Sequence, residues 1–323
     1  MKRILVTGGA GFIGSNLIEK LLKDKSTEKV ICVDNFDPFY SIDFKKDNIK
    51  KFLNSKKFEF YKTDITDLSS LSKIFKKEKP DRIIHLAAKV DTRNSVKYPY
   101  DYNKVNVLGT LHLLELSKYF EVKKFIFISS SSVYGNEAEA PFKENKSANL
   151  PLTPYGVTKV AGELLCYTYF HNFNLPVICL RIFNAYGERN RPDLVIYKWV
   201  QSILNNNPIE MSGKGARSRD YTYVGDIVEA ILLALKKDIG YQTVNIGNSK
   251  PISLKTLLSK IEDTLGRKAV VKNRPSARAS AESTCADITK AKKLLGWKPK
   301  ISMEEGLKRF AMWFKKERLN YKQ

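Results

Sequence analysis

Residues 7–16 read Thr-Gly-Gly-Ala-Gly-Phe-Ile-Gly-Ser-Asn and stand directly after the apolar run Ile4-Leu5-Val6. That placement commits the start of the chain to a strand, a glycine turn and a helix. In this G-x-x-G-x-x-G spacing, Gly8 permits a tight turn, Gly11 lets the helix opening at Phe12 and Ile13 approach a pyrophosphate, and Gly14 lets the helix pack on the strand. A plain strand-to-helix turn needs only one glycine; three, set between a strand and a helix, point to a bound dinucleotide.

The second apolar run, Val30-Ile31-Cys32-Val33, ends in Asp34-Asn35, twenty residues past Gly14. A carboxylate there accepts hydrogen bonds from the adenosine ribose hydroxyls and repels a 2′-phosphate, which favours NAD over NADP. Asp64 and Ile65, after the third run, are placed to meet the adenine, although an Asp before a helix equally serves as an N-cap.

Through residue 180, short β-branched runs alternate with helix-length segments. The further runs are Phe58-Glu59-Phe60-Tyr61, Arg82-Ile83-Ile84-His85-Leu86, Lys124-Phe125-Ile126-Phe127-Ile128 and Pro176-Val177-Ile178-Cys179-Leu180. Six such runs predict an α/β fold, a Rossmann-type doubly wound parallel sheet covered on both faces. After Asn184 the rhythm changes to loops, a helix near Asp193 to Leu204 and short strands near Ile209 and Tyr221. A helix over Gly225 to Lys236 and a strand at Val244-Asn245-Ile246 are expected to rejoin the sheet. The expected division is a dinucleotide-binding domain of residues 1–182 plus about 222–248, and a smaller, mostly helical substrate domain of residues 183–221 and 249–323. With 323 residues, 43% of them hydrophobic, the chain is long enough to bury a substantial core.

The net charge of +22 invites a nucleic-acid or membrane-surface reading. The lysines are scattered, however, as in Lys45-Lys46, Lys56-Lys57, Lys76-Lys77 and Lys292-Lys293, with no aromatic-interleaved tract. They are expected on solvated faces, with neither a nucleic-acid partner nor membrane insertion. The N-terminus runs straight into the first strand, and no apolar run approaches the roughly 20 residues that span a bilayer, so a soluble cytoplasmic protein is expected. Cys32, Cys166, Cys179 and Cys285 lie far apart, with only His85, His112 and His171 to join them. No metal site is expected, and all four thiols are expected to be reduced and packed.

Tyr155-Gly156-Val157-Thr158-Lys159 sets Tyr and Lys four residues apart on one face of a helix that starts near Pro154. The ammonium, with an oxidised nicotinamide above it, is expected to lower the phenol from about 10, so that a tyrosinate takes a hydroxyl proton near neutrality. The run Phe127-Ile128-Ser129-Ser130-Ser131-Ser132-Val133-Tyr134-Gly135 ends a strand in hydroxyls beside the expected nicotinamide. One of these serines can share the substrate proton with Tyr155; serines after a strand are otherwise turn formers.

Glycine turn, acidic strand end, serine-rich strand end and YxxxK, in this order, resemble the extended short-chain dehydrogenase/reductase superfamily of sugar-nucleotide epimerases and dehydratases. The resemblance covers nearly the whole chain. It implies NAD as cofactor, with Leu86, Ala87 and Ala88 after His85 lining it, and it adds Asn106 in Val105-Asn106-Val107-Leu108-Gly109-Thr110 to the cofactor site. It places Asn184 of Arg181-Ile182-Phe183-Asn184 and Arg219 of Arg219-Asp220-Tyr221 at the nucleotide-sugar diphosphate, with Arg278 as a further candidate. Aligned on Val133-Tyr134-Gly135, the family's catalytic Ser/Thr falls on Ser130, beside Tyr155 and Lys159. His85 itself reads as a packed strand-end histidine, and a homodimer through the helix after Tyr98 and the one bearing Tyr155 is implied by the resemblance alone.

Sugar-nucleotide 4,6-dehydratases carry an Asp-Glu pair after that Ser/Thr, because eliminating water needs an acid and a base. Ser131 and Ser132 hold those positions here. Three stretches resemble UDP-glucuronate 4-epimerases instead: Asp34-Asn35-Phe36-Asp37-Pro38-Phe39-Tyr40, Thr92-Arg93-Asn94-Ser95 and Gly187-Glu188-Arg189-Asn190-Arg191-Pro192-Asp193. Arg93 and Arg191 are candidates for the charge that a C6 carboxylate requires. Those epimerases tend to have Thr at the position of Asn184, which is closer to UDP-galactose 4-epimerases. The expected activity is NAD-dependent 4-epimerisation of a UDP-sugar, UDP-glucuronate first, through a transient 4-keto sugar. Alternatives are a UDP-glucose or UDP-N-acetylglucosamine 4-epimerase, a 4,6-dehydratase or decarboxylase, and a non-catalytic NAD-binding module.

Overall fold

The structure, a computed structural model, describes residues 2–135, 140–145, 150–275 and 283–319. Its centre is a seven-stranded parallel sheet. Six strands come from the first 182 residues: β1 (Lys2–Thr7), β2 (Thr27–Asp34), β3 (Phe58–Lys62), β4 (Arg82–His85), β5 (Lys124–Ser130) and β6 (Val177–Ile182). The seventh, Gln242–Ile246, pairs in parallel with β6. From one edge the order runs Gln242–Ile246, β6, β5, β4, β1, β2, β3, so the order reverses between β1 and β4. Thr7 at the end of β1 is level with Val33 of β2 and His85 of β4. A crevice opens outside such carboxyl ends at the reversal point.

Both faces are covered, which is why the strands read as continuous apolar runs. On one face Ile4, Val6, Val30, Cys32, Ile84 and Ile126 pack with α1 (Phe12–Lys23) and α9 (Val224–Lys236). On the other, Leu5, Ile31, Val33, Ile83, Phe125 and Phe127 pack with α3 (Leu68–Glu78), α6 (Gly109–Tyr119) and α7 (Pro154–Phe173). The glycine turn is sterically obligatory. Gly8 has φ +67°, and a Cβ there would stand 2.8 Å from the Ala87 amide nitrogen; one on Gly14 would stand 2.3 Å from the Gly8 carbonyl oxygen. α1 can pack on its strand only without those atoms.

Beyond β6 the chain adds α8 (Val195–Leu204), α10 (Leu254–Leu265) and α12 (Met303–Glu317). This part is less purely helical than its sequence suggests. Ile209–Ser212 pairs in parallel with Val271–Arg274, and Ser218–Arg219 pairs antiparallel with Ile252–Ser253. The strand at Ile209 stands where the sequence places one, while the other three pieces carry too few residues for alternation to be legible. Two smaller departures concern packing. Cys285 is only half-buried, unlike the other three thiols. Lys45 is buried rather than solvated: on α2 (Ile42–Lys50) its Nζ donates to the Asp37 carbonyl at 2.8 Å beneath the loop that follows β2.

Candidate active site

At the carboxyl ends of the strands lies a cleft of about 1320 Å³. Its size exceeds the roughly 300–1,000 Å³ of an ordinary small-molecule pocket and suits two nucleotide-sized ligands side by side. Gly8, Gly11, Phe12, Ile13, Asp34, Asn35, Asp64, Ile65, Leu86, Ala87 and Ala88 all line it, as do Ser130, Tyr155, Lys159, Arg93, Asn184, Arg191 and Arg219. Arg278 lies outside the described residues.

α1 enters the cleft at Gly11, its N-cap, which offers no side-chain cap. The first-turn amides therefore have no partner along the helix and form a positive pole suited to a pyrophosphate. Asp34 stands at the end of β2, with Oδ2 accepting from the Ala10 amide and Oδ1 from the Phe36 amide. These bonds fix the carboxylate while leaving each oxygen a further lone pair. Asn35 Nδ2 donates to Asp64 Oδ2 at 2.7 Å, and Asp64 Oδ1 accepts from the Thr66 amide. Asp64 thus closes a turn, and the helix cap is Asp67. The donor set fits a dinucleotide.

Asn106 departs from expectation: it does not line the cleft. It sits in a π-helical turn, Lys104–Leu108, that joins α5 (Pro99–Asn103) to α6, and it is buried. Its Oδ1 accepts from the Lys89 amide, and its Nδ2 donates to the Lys89 carbonyl and to Thr158 Oγ1. Asn106 therefore ties the Leu86–Lys89 segment to α7 from behind. His85 is a packed histidine as expected, between Thr7 Oγ1 and Thr110 Oγ1, with burial pushing it down to about 3.

α7 starts cleanly because Thr153 accepts from the Gly156 amide and Pro154 takes the first turn. It presents Tyr155 and Lys159 to the end of β5. Ser130, whose hydroxyl donates to Ser132 Oγ at 3.2 Å, lines the cleft beside Tyr155 and pulls its phenol downward, and Lys159 Nζ donates to the Ile128 carbonyl at 2.7 Å. Burial raises the phenol above its usual 10 and lowers Lys159 to about 8. The sequence reading expected the ammonium to lower the phenol. In the protein alone burial sets the phenol, because the ammonium points to a carbonyl and stands 5.9 Å from the phenol ring centroid; the expected lowering also requires the oxidised nicotinamide.

The arginines also differ from expectation. Arg191 is already engaged: Nε donates to Asp193 Oδ1 at 2.9 Å and Nη2 to Oδ2. It shares the cleft with the reacting group, and its charge pulls the Tyr155 phenol downward. Arg93, on α4 (Thr92–Lys97), lines the mouth. Arg219 Nη1 donates to the Ser218 carbonyl, and Asn184 Nδ2 donates to the Asp220 carbonyl at 3.3 Å. Two residues the sequence reading passed over also line the cleft. Lys45 was masked as half of a lysine doublet. Tyr102, whose ring stands edge-on to Tyr155 at 6.4 Å and whose hydroxyl donates to the Val90 and Asp91 carbonyls, carries no local signal.

Fold and site together define an enzyme of the extended short-chain dehydrogenase/reductase class. Within it, the chain belongs to the GDP-mannose 4,6 dehydratase family, which it matches over residues 5–310. It is 41% identical over 312 residues to a UDP-glucuronate 4-epimerase of Thermodesulfobacterium geofontis, covering 96% of this chain and 95% of that one. Among solved structures it resembles UDP-glucuronic acid 4-epimerase from Bacillus cereus in complex with UDP-glucuronic acid and NAD. That match has a TM-score of 0.90 and 36% identity, over 97% of this chain and 99% of that one. It also resembles UDP-glucose 4-epimerase from Thermotoga maritima with UDP-glucose, with a TM-score of 0.89 and 34% identity, over 97% and 98%. No helix among the described residues is long and apolar enough to cross a membrane.

Proposed function

We propose that this protein is an NAD-dependent UDP-sugar 4-epimerase that interconverts UDP-glucuronate and UDP-galacturonate. The observation that carries the reading is that one cleft holds both the uncapped N-terminus of α1 with Asp34 and the Ser130–Tyr155–Lys159 group, along with Arg191, whose charge pulls the phenol downward. Kinship with a UDP-glucuronate 4-epimerase along nearly the whole chain supports it.

In this reading Gly8, Gly11, Phe12 and Ile13 hold the pyrophosphate of NAD, Asp34 and Asn35 its adenosine ribose, and Asp64 and Ile65 its adenine. Leu86, Ala87, Ala88, Tyr155 and Lys159 surround the nicotinamide end, and Asn106 supports that wall. When bound, NAD supplies a positive charge beside the phenol, a hydride acceptor for C4, and the same hydride for the other face of the turned 4-keto sugar. Tyr155 takes the C4 hydroxyl proton and later returns it. Ser130 fixes the phenol and shares that proton, and the Lys159 ammonium stabilises the phenolate. Ser131 and Ser132 offer neither the acid nor the base that dehydration requires. Asn184 and Arg219, from residues 183–221, hold the diphosphate, while Arg191 and Arg93 meet the C6 carboxylate.

Arg191 also favours a second reading, a UDP-glucose 4-epimerase. Its bond to Asp193 offsets its charge before any substrate arrives. A homodimer and a cytoplasmic location belong to the same proposal. The exposed apolar side chains of α6 and α7, Tyr119, Val157, Leu164 and Tyr167, support the dimer.

The test is to incubate the purified protein, without added cofactor, with UDP-glucuronate and UDP-glucose separately and to follow the anomeric protons by NMR. Formation of UDP-galacturonate supports the first reading, and conversion of UDP-glucose alone supports the second. No conversion of either, with added NAD as without, rejects both.

A further inference from the structure

Tyr155, Lys159 and Glu163 stand four residues apart on one face of α7, and the last two are tied to consecutive residues at the end of β5. Lys159 Nζ donates to the Ile128 carbonyl and the Ser129 hydroxyl donates to Glu163 Oε1, while Ser130, next along, pulls the Tyr155 phenol downward. Glu163 is gripped again from β6: Arg181 donates through Nε to Oε1 at 2.9 Å and through Nη2 to Oε2 at 2.7 Å. The two side chains are only 7% and 6% exposed. The guanidinium lies over the Tyr134 ring at 4.8 Å, and the Tyr134 hydroxyl donates to Asn245 on the seventh strand at 2.7 Å.

Neither Glu163 nor Arg181 lines the cleft, so neither is placed to touch a ligand there. A buried ion pair is a weak source of stability, because desolvating two charges offsets most of their attraction. Its position, one turn beyond Lys159, assigns it other work. We infer that Glu163 is the positioning residue of the reacting group. Clamped by Arg181 and Ser129, it fixes α7 in register on β5 and supplies the negative charge that keeps the Lys159 amine an ammonium. The inference rests on the roles proposed above for Tyr155 and Lys159.

Among the groups that act on Lys159, Glu163 pulls hardest toward the charged form. Tyr155 and Cys166 stand on its own helix, His85 on β4, and Cys179 on β6 with Arg181 two residues further along. Burial holds His85 neutral and pushes the Tyr155 phenol and the Cys179 thiol up. Glu163 is the carboxylate of the set. Against the burial that drives Lys159 down to about 8, it pulls the amine toward its charged form.

The experiment is a pH titration of the full-length protein labelled with ε-13C lysine, the Lys159 resonance being identified by its absence in Lys159→Arg. Glu163→Gln is expected to lower the Lys159 midpoint by about one pH unit, the size a single neighbouring charge commonly imposes. The alkaline limb of kcat/KM should move with it, while KM for UDP-glucuronate at pH 6.5 stays put. Because Glu163→Gln strands the Arg181 charge, the double variant Glu163→Gln/Arg181→Met is measured beside it. It should fold more readily and show a smaller downward shift. A Lys159 midpoint unchanged from wild type in either folded variant overturns the inference. Inactivity of the wild type on UDP-sugars would instead sink the proposed function, and the titration would still judge the charge supplied by Glu163.

Discussion

Lys159 spends its one short bond on the Ile128 carbonyl, 2.7 Å away, and meets Tyr155 only across the phenol ring, 5.9 Å from its centroid. The lysine therefore acts on the tyrosine as a nearby charge, and that charge is fragile. Burial lowers Lys159 to about 8, so its ammonium is present below that pH and lost above it. The expected kcat/KM profile falls on the alkaline side from about pH 8, well below the lysine's usual range. Lys159→Gln should abolish that limb and reduce kcat by about 10²-fold or more. A profile that stays flat to pH 10 in the wild type contradicts the assignment.

Tyr155 is raised by its own burial, so the protein alone holds a neutral phenol. A cationic cofactor ring beside it is what makes a base near neutrality. Tyr155→Phe removes the base and leaves the cofactor wall of Leu86, Ala87 and Ala88 in place. Turnover should drop at least about 10²-fold, with unchanged NAD content after acid release from the purified protein. Normal turnover in that variant removes Tyr155 from the mechanism.

His85 links the glycine turn to α6 through Thr7 and Thr110, and it is held neutral, down to about 3. In the unfolded chain it titrates near 6.5, so between these values the unfolded state binds the extra proton. Its contribution is complete above about pH 6.5 and is lost as pH falls towards 3, at about 1.4 kcal/mol for each pH unit in that window. Urea midpoints at pH 7 and pH 5 measure this. In a folded His85→Gln variant the difference between those midpoints should shrink, and an undiminished difference assigns the acid sensitivity elsewhere.

The dinucleotide half was legible because each of its parts is a local pattern. Gly8 and Gly14 are obligatory on steric grounds, and Asp34 sits at the end of an apolar run. Tyr155 and Lys159 share a helix face by spacing alone. What failed needed tertiary context. Lys45 looks like any surface lysine until the loop after β2 folds over it, and Asn106 looks like a ligand-facing amide until a π-helical turn aims it at Lys89. The partner of Arg191 was printed two residues away as Asp193, but nothing in the sequence says whether two such side chains meet or diverge. Glu163, on α7, was hidden for a related reason, since its partner Arg181 arrives from β6.

In the proposed reading, that Arg191–Asp193 contact sets how sharply the enzyme tells a C6 carboxylate from a hydroxymethyl group. Asp193 holds the guanidinium through Nε and one terminal nitrogen, which leaves the other terminal nitrogen, Nη1, to point elsewhere. A substrate carboxylate gains from that remaining donor, and charge-assisted hydrogen bonds contribute about 1.5–3 kcal/mol. Arg191→Gln removes the donor and also strands the Asp193 carboxylate, which then repels a second carboxylate. Both effects act against UDP-glucuronate, and neither acts against UDP-glucose. The ratio of kcat/KM for UDP-glucuronate to that for UDP-glucose should therefore fall by about 10- to 100-fold, carried mainly by KM. Equal losses on both substrates would make Arg191 a general support of the site and transfer carboxylate selection to Arg93.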